Sequence, residues 1–424
     1  MTGHINLEVE MRRTQPDYVV YRPKSMDGAH HDWGNEHFLV FDGPDGSLMA
    51  VWTQSTREGM PDQRIVFSRS RNEGVTWDSP RVIAGVAPPA KGPMASWAFP
   101  MVSNGGRIYV LYSKQVGTND IFKHTTGLMA GIYSDDAGRT WSDEEFIPTR
   151  RSKWDNPASS VPANWIVWQK PERLSEGKYF SGLTRWVSPA VAHPPPVKHW
   201  SAKESVVEFI RFENIDHHPE PKDIQIQWFA QDDEALQVGY PGHPEVSVIQ
   251  EPSIIRLPDG RLFTALRSPG GNPYYSVSDD AGRTWSKPQV MRRSDGGRPL
   301  LHPCSPCPIY SLDGGRYIFL HHNHDGHFEQ WGPFDTLDHR RPITIALGEF
   351  RRKGKQPIWF SEPKFFMDNG GQRLGYGPGR ADLAMYASFT IRNGKRVLWY
   401  PDRKFFLLGK EVTDQFLADL EVTQ

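Results

Sequence analysis

The sequence predicts an all-β fold, a six-bladed β-propeller of four-stranded antiparallel blades. Two observations carry this prediction: a strand–glycine turn–strand unit that occurs six times, and a shorter polar turn motif that occurs three times. A third observation excludes βαβ units, because no segment of about 12 or more residues shows a clear 3.6-residue apolar period. Closing the repeats into a ring leaves no free sheet edge.

The composition is that of a turn-rich β protein without charge bias. The 424 residues include 38 Gly, 36 Pro and 15 Trp, and 49 Lys and Arg nearly balance 50 Asp and Glu. A balanced charge predicts no binding to nucleic acid or to an anionic membrane. The N-terminus lacks an apolar core of signal-peptide length, and no apolar run reaches about 18 residues. We therefore expect a cytoplasmic protein, although the same sequence would remain after removal of a secretion leader.

Six hairpins are expected where an apolar strand enters a glycine turn and a second apolar strand leaves it. Asp-Gly, Asn-Gly and Gly-Gly pairs between apolar runs are strong hairpin signals. Successive turns lie 54 to 83 residues apart, which leaves room for about four strands in each unit. The turns contain Gly46, Gly105, Gly177, Gly260, Gly314 and Gly394.

No linker divides the chain, so we expect one propeller domain over residues 1–424. A strand within residues 5–22 is expected to join the C-terminal strand FFLLGKEV in one blade and close the ring. The blades are predicted at approximately 30–85, 90–150, 160–240, 246–292, 300–368 and 378–412.

The polar turn motif reads S-x-D/N-x-G-x-T-W at residues 70–77, 134–141 and 278–285. In such a turn the Asp or Asn accepts backbone N–H groups, and the Gly adopts a conformation that is costly for other residues. The Trp is expected to pack the turn against its blade. We predict a structural role for all three copies, at the hairpins between outer strands.

With these three Asp-boxes, the chain resembles the sialidase (neuraminidase) superfamily of six-bladed propellers over about residues 30–412. Residues 250–267 resemble a family segment, E-P-x-x-x-x-L-x-D-G-R-L…R. This resemblance implies that Glu251 polarises the nucleophile and that Arg267 binds a substrate carboxylate. The Tyr-Ala-Ser-Phe segment at 386–389 resembles the family's nucleophile strand, which implies that Tyr386 is the nucleophile.

Three further assignments follow from the same resemblance. The segment Arg-Arg-Pro-Ile at 340–343 is similar to the strand that carries another carboxylate-binding arginine. Arg340 fits this position best, and Arg341 is the second choice. Asp62, in the loop ahead of the first Asp-box, corresponds to the family's acid/base Asp, although the loop is shortened.

The resemblance implies a retaining exo-glycoside hydrolase that acts on a terminal acidic sugar. A sialic acid has a carboxylate on its anomeric carbon, so a neutral Tyr avoids the repulsion that an Asp or Glu nucleophile would meet. Guanidinium groups match a planar carboxylate. The expected partner is a small saccharide or the non-reducing end of a glycan. No cofactor, metal, nucleic acid or membrane partner is expected.

Two positions depart from the family pattern. Where the family has its first carboxylate-binding arginine, this chain has Glu36 and His37. Where the family has the Glu that orients this arginine, the chain has Tyr400. We therefore expect Glu36 or His37 to face the site, and we expect the carboxylate of Glu36 to make ordinary sialosides poor substrates.

Two other functions stay open. His37 and the histidines at 321, 322 and 324 are compatible with a uronate-directed polysaccharide lyase, in which His, Tyr and Arg remove a proton beside a neutralised carboxylate. A non-catalytic carbohydrate-binding propeller is the third possibility, although it has no use for a nucleophile and base. Trp97 and Trp186 offer stacking faces to a sugar or belong to the core.

The segment from residue 302 to residue 327 raises the question of zinc, because it contains Cys304, Cys307 and several histidines. The two cysteines are followed by no second C-x-x-C pair. We therefore expect a segment that leads into an inner strand rather than a metal site.

Overall fold

The computed structural model describes residues 5–25, 28–174 and 176–422, and it shows a six-bladed β-propeller. Each blade is a sheet of four or five strands, and neighbouring strands are antiparallel. The predicted fold class is confirmed. Two five-residue helices lie near the ends of the chain, α1 (Leu7–Met11) and α2 (Asp414–Ala418). Among the described residues, neither the length nor the apolarity of any helix is sufficient to cross a membrane.

The strands follow one another around the ring. Strand β1 (Tyr18–Tyr21) precedes the first blade. Blade 1 contains β2 (Gly34–Asp42), β3 (Leu48–Ser55), β4 (Arg64–Ser70) and β5 (Arg81–Ala84). Blade 2 contains β6 (Ala95–Val102), β7 (Ile108–Lys114), β8 (Leu128–Ser134) and β9 (Glu145–Phe146). Blade 3 contains β10 (Trp165–Ile166), β11 (Glu172–Arg173), β12 (Tyr179–Trp186), β13 (Ser205–Phe212) and β14 (Ile226–Phe229).

A separate short hairpin then precedes the second half of the ring. It is formed by β15 (Gly239–Tyr240) and β16 (His243–Ser247). Blade 4 contains β17 (Gln250–Arg256), β18 (Leu262–Arg267), β19 (Tyr274–Ser278) and β20 (Gln289–Val290). Blade 5 contains β21 (Ile309–Ser311), β22 (Arg316–His321), β23 (Ile343–Phe350), β24 (Ile358–Phe360) and β25 (Lys364–Met367). Blade 6 contains β26 (Ser388–Arg392), β27 (Lys395–Asp402) and β28 (Phe406–Glu411).

The first strand of the chain completes the last blade. Strand β1 pairs with β28, with Tyr18 opposite Gly409 and Val19 opposite Leu408. Blade 6 therefore joins both ends of the chain in the order β1-β28-β27-β26. This pairing supplies the outer strand of blade 6 and closes the ring.

The Asp-box turns have the internal hydrogen bonds that their sequence predicts. In the second copy, the N–H of Thr140 donates to Asp136 at 2.8 Å and the N–H of Gly138 donates to the Ser134 hydroxyl at 2.8 Å. The backbone donor of Thr140 holds the pKa of Asp136 low, at about 2. Gly138 has a φ of 78°, where L side chains are strained.

Each Asp-box Trp packs against an aromatic residue of the preceding blade. Trp141 of blade 2 contacts Phe67 of blade 1, and Trp285 of blade 4 stacks on Phe209 of blade 3 with ring centroids 4.0 Å apart. The expectation that the Trp packs the turn against its blade did not include this contact with the preceding blade. A residue between outer strands reaches the neighbouring sheet because adjacent blades pack face to face, so these turns also join blade to blade.

Candidate active site

A cavity of about 190 Å³ lies where loops and inner strands of all six blades meet. One side is aromatic and includes Trp97, Trp186 and Trp200. The two tryptophans named from the sequence thus line the cavity while also being buried. The charged and phenolic members of the wall are Glu58, Glu251, Arg267, Arg340, Arg380, Tyr386 and Lys404.

Three inner strands, β2, β6 and β17, each have a β-bulge close to this cavity. His37 in β2, Trp97 in β6 and Glu251 in β17 have φ values of 51°, 59° and 51°, and the pairing register shifts at each. The N–H of Trp97 donates to Thr53 at 3.1 Å, and that of Glu251 to Thr184 at 2.7 Å. Both threonines belong to the preceding blade. Because a bulge interrupts the strand's alternation, Trp97 and Glu251 turn towards the axis.

The structure brings the predicted nucleophile and its predicted partner together. The Tyr386 hydroxyl donates to Glu251 Oε1 at 2.7 Å, although the residues are 135 positions apart. Arg267 Nη1 lies 2.6 Å from Glu251 Oε2 and donates to the Tyr386 oxygen at 3.1 Å. All three side chains are buried. The phenol, the carboxylate and the guanidinium are thus linked to one another by hydrogen bonds and an ion pair.

Burial controls the ionisation of this group. It raises the pKa of Tyr386 well above its ordinary value, and the negative charge of Glu251 adds to the effect. It also raises the pKa of Glu251, although the charge of Arg267 opposes this rise. Tyr386 is therefore a neutral phenol, and its hydrogen bond points at a carboxylate able to accept its proton.

Arg340 lines the same cavity with free donors. Its closest carboxylate, Asp382, is 4.0 Å away. Within the described residues, its buried Nε and Nη2 atoms have no hydrogen-bond partner. The guanidinium groups of Arg340 and Arg267 lie 5.6 and 5.3 Å from the centre of the Trp200 ring. Arg340 can thus bind an anion in the cavity without breaking an existing hydrogen bond.

Arg341 and Asp62 lie away from this cavity. Arg341 forms ion pairs with Glu329 at 2.9 Å and with Asp368 at 2.6 Å. Asp62 accepts hydrogen bonds from the backbone N–H and the hydroxyl of Thr56, at 2.9 and 2.7 Å. Neither belongs to the cavity wall. The second choice for the clamp arginine and the acid/base position assigned to Asp62 therefore do not fit the structure.

The structure also corrects the expectation for Glu36 and His37. Neither lines the cavity. The His37 ring packs behind Trp97 and edge-on to Tyr386, and the carboxylate of Glu36 is bound by Gln63 and Lys404. An unpaired carboxylate facing the substrate was the premise of the argument against ordinary sialosides, and this premise is wrong.

Lys404 forms ion pairs with two carboxylates, Glu36 and Glu58. Its Nζ lies 2.8 Å from Glu36 Oε2, 2.6 Å from Glu58 Oε2 and 4.7 Å from the centre of the Tyr386 ring. Burial opposes the ionisation of Glu58, but the charges of Lys404 and Arg380 outweigh it and hold its pKa well below the ordinary range. Arg380 forms a two-point ion pair with Asp382 at 2.5 and 2.7 Å.

Sequence reasoning missed the residues of the wall that lie on loops. Glu58, which lines the cavity, lies four residues before Asp62 in the same loop. Lys404 follows the Asp402–Arg403 pair in the turn after β27, where a cation beside the cavity has no distinctive pattern. The missed members of the wall are Glu58, His124, Trp200, Arg380 and Lys404.

One cluster of the described residues has the spacing of metal ligands. Ligand atoms of Glu36, His37 and Glu58 lie within 4.8 Å of one another, but the ammonium group of Lys404 already lies between both carboxylates. A cation of the protein itself thus neutralises this cluster.

The histidines of blade 5 bind the backbone of the segment that carries Arg340. His322 Nδ1 lies 2.9 Å from the Pro342 oxygen, and His324 Nε2 lies 3.1 Å from the Arg341 oxygen. Burial lowers the pKa of both rings, which keeps them neutral. Because neither lines the cavity, they position Arg340 rather than face a ligand.

The fold and the cavity define a sialidase-type propeller. A family model for the BNR repeat-like domain matches residues 46–378, and the chain belongs to this family. No curated protein sequence matches the chain.

Solved structures with the same fold include three bacterial or microbial proteins. A Hadza microbial sialidase, Hz136, is 16% identical with a TM-score of 0.59, and the match covers 91% of this chain and 67% of the other. The intramolecular trans-sialidase from Ruminococcus gnavus is 13% identical with a TM-score of 0.60, over 93% and 98% of the two chains. A protein of unknown function from Dyadobacter fermentans is 14% identical with a TM-score of 0.56, over 94% and 97%. Fold and family together support a sialidase-family glycosidase or a carbohydrate-binding protein.

Proposed function

We propose that this protein is a retaining exo-glycosidase of the sialidase type that acts on a terminal acidic sugar. The observation that carries the proposal is the 2.7 Å hydrogen bond from the Tyr386 hydroxyl to Glu251 inside a cavity lined by arginines. A binding protein has no use for a buried phenol paired with a buried carboxylate, since burying both groups costs free energy.

Arg267 and Arg340 bind the carboxylate of the sugar. Arg340 contributes its unpartnered buried donors. Arg267 is shared with Glu251, so its charge opposes the rise in the pKa of that carboxylate while it also contacts the substrate. The aromatic side of the cavity, with Trp97 and Trp186, covers the apolar face of the sugar.

Tyr386 is the nucleophile and Glu251 its base. The proton of the Tyr386 hydroxyl moves to Glu251 as the phenolic oxygen bonds to the anomeric carbon, and the glycosidic C–O bond breaks as the leaving oxygen takes a proton from the acid/base group, Glu58. Water then loses a proton to Glu58 and attacks the same carbon, the bond to Tyr386 breaks, and the phenolic oxygen recovers its proton from Glu251. Two inversions give net retention of configuration.

Glu58 takes the acid/base role first assigned to Asp62. It is the other carboxylate of the cavity wall, and its side chain is 26% exposed, within reach of water. In the empty cavity its pKa is held low by Lys404 and Arg380 despite burial, which suits the base that activates water in the second step. A bound carboxylate offsets those positive charges, so substrate binding raises the pKa of Glu58 towards that of an acid.

The test is hydrolysis of an aryl sialoside by the wild type and by Tyr386→Phe. We expect turnover by the wild type, and a loss of about 10³-fold or more in kcat for the variant, since covalent catalysis needs the phenolic oxygen. Tyr400→Phe is the matched control. Tyr400 is a buried Tyr of the same blade whose hydroxyl bonds Thr14 at 2.7 Å, outside the cavity.

The reaction product distinguishes the proposed hydrolase from the two alternative functions. A hydrolase releases a saturated sugar, whereas a uronate lyase leaves an unsaturated product that absorbs in the ultraviolet. Sugar binding without turnover by the wild type would favour the carbohydrate-binding alternative. Equal losses in Tyr386→Phe and Tyr400→Phe would contradict the nucleophile assignment.

A further inference from the structure

We propose that Lys404, oriented by the buried carboxylate of Glu36, is a third cation that binds the carboxylate of the substrate. The inference rests on the proposed function and names a specificity-determining contact within it. It also gives a physical meaning to the acid in blade 1. Glu36 lies where the resemblance implies an arginine in the family. Its partner cation, Lys404, comes from blade 6.

The backbone places Lys404 at the cavity through an unusual turn. Arg403 and Lys404, between β27 and β28, have φ values of 57° and 45°. Non-glycine residues adopt such values at a free-energy cost, which persists only where the surroundings impose them. Here Arg403 is held by Glu10 and Asp402, each at 2.8 Å, and the Lys404 carbonyl accepts the N–H of Asn35 at 2.7 Å.

Glu36 acts as a fixed counter-ion for Lys404 rather than as a ligand for sugar. Its side chain is 1% exposed. Oε1 accepts from Gln63 at 3.0 Å and Oε2 accepts from Lys404 at 2.8 Å, so both oxygens have fixed donors. An ion pair this buried gives little net stability, because desolvation of the charges offsets their attraction. Its effect is to fix the position of the ammonium group.

The ammonium group retains capacity for an anion. It has three N–H donors, of which one binds Glu36 and one binds Glu58. Lys404 lines the cavity together with Arg267 and Arg340. Arg380 lines it too, with two of its five N–H donors bonded to Asp382 and its Nη1 3.6 Å from Glu58. Lys404 is therefore an additional cation with a donor left for the substrate, and it is the one that Glu36 orients.

The experiment measures how much more tightly each variant binds a carboxylate ligand than the uncharged ester of the same ligand. The probes are an unsaturated sialic acid analogue and its methyl ester, which differ only in the charge, and the readout is the ratio of their Kd values by titration calorimetry. The test variant is Lys404→Met with Glu36→Gln. This double change removes the cation together with its buried partner Glu36, and Glu58, its other partner, keeps Arg380 at 3.6 Å.

We expect the wild type to bind the acid more tightly than the ester, and the double variant to lose about 10- to 100-fold of that preference. Lys410→Met is the matched control. Lys410 lies in the same blade, and its ammonium group bonds the backbone oxygens of Thr14 and Gln15 at 3.0 and 2.8 Å. It should keep the wild-type ratio.

A folded double variant with the wild-type ratio would overturn the role of Lys404 and leave the proposed function intact. A wild type that binds acid and ester equally would overturn both this inference and the acidic-sugar assignment. Loss of turnover in Tyr386→Phe bears on the nucleophile alone, so the two failures are distinguishable.

Discussion

The cavity has two charged walls that are built in different ways. The first wall comes from blades 4, 5 and 6, and two of its four side chains, Glu251 and Arg267, lie on strands. It consists of Glu251, Arg267, Arg340 and Tyr386. The second wall comes from blades 1 and 6, and its side chains lie on loops and a strained turn. It consists of Glu58, Arg380 and Lys404.

The walls also differ in how their charges are paired. In the first wall Arg340 keeps free donors, and Glu251 is bound by Arg267 at 2.6 Å and by Tyr386 at 2.7 Å. In the second wall the cations are bound to carboxylates of the protein, including one that never meets the cavity, Glu36. Under the proposed function, the first wall supplies the nucleophile and its base, whereas the second supplies the acid/base carboxylate and sets the charge around the leaving group and the substrate carboxylate.

The largest effect is expected from breaking the second wall at Glu58. Glu58→Gln should lower kcat by about 10²- to 10⁴-fold on a substrate with an unactivated leaving group, because such a group departs only with a proton. The loss should be smaller with a nitrophenyl leaving group, which needs little protonation. Steady-state kinetics with both substrates measures this difference.

Asp62→Asn is the matched control for Glu58→Gln, since both residues are in one loop. Asp62 binds Thr56 and does not line the cavity. We expect kinetics close to wild type from this variant. A larger loss in Asp62→Asn than in Glu58→Gln would return the acid/base role to Asp62.

The contrast between the walls also explains how far the sequence could predict the molecule. Glycine turns and Asp-boxes act through local backbone chemistry, so six blades followed from short patterns. Glu251 and Arg267 lie on β17 and β18, and Tyr386 lies two residues before β26, so short strand motifs located all three. Glu58 and Lys404 depend instead on loop length and on a positive-φ turn, which no periodicity records.

Glu36 illustrates the same limit on a regular strand. Its position in β2 was correctly recognised as unusual, but the direction of its side chain was not. Its partners, Gln63 and Lys404, are 27 and 368 positions away. Whether a carboxylate faces a cavity or a buried lysine depends on such long-range contacts, so the sequence alone led to the wrong expectation of an exposed negative charge.

A smaller effect is expected from Arg340 of the first wall, compared with its neighbour Arg341, which lies outside the cavity. Arg340→Met should raise KM by about 10- to 100-fold for an acidic substrate, because a charge-assisted contact is lost. Its melting temperature should change little, since the guanidinium has few protein partners. Arg341→Met should show the reverse pattern, with near-normal kinetics and a loss of about 1–2 kcal/mol in unfolding free energy, because Glu329 and Asp368 lose their partner.

Kinetics and thermal denaturation of both variants decide this prediction. The charge removed is the same and the two residues are neighbours, so a general electrostatic effect would move both alike. If Arg341→Met raised KM as much as Arg340→Met, the assignment of Arg340 to the substrate carboxylate would fail.

The smallest effect is a pH dependence of stability from Glu36 in the second wall. Burial, together with the charge of Glu58, raises the pKa of Glu36 to about 7, although Lys404 opposes the rise. The ordinary value is near ~4.3, so between the two values the folded state binds a proton that the unfolded state does not. The stabilisation from this proton is fully present below the unfolded pKa and is lost as pH rises through about 7. The melting temperature of the wild type should therefore fall between about pH 5 and 8 relative to Glu36→Gln, by roughly 1–3 °C. Parallel curves for the two proteins across this range would mean that Lys404 keeps Glu36 ionised throughout, and that the second wall carries its full charge even in acid.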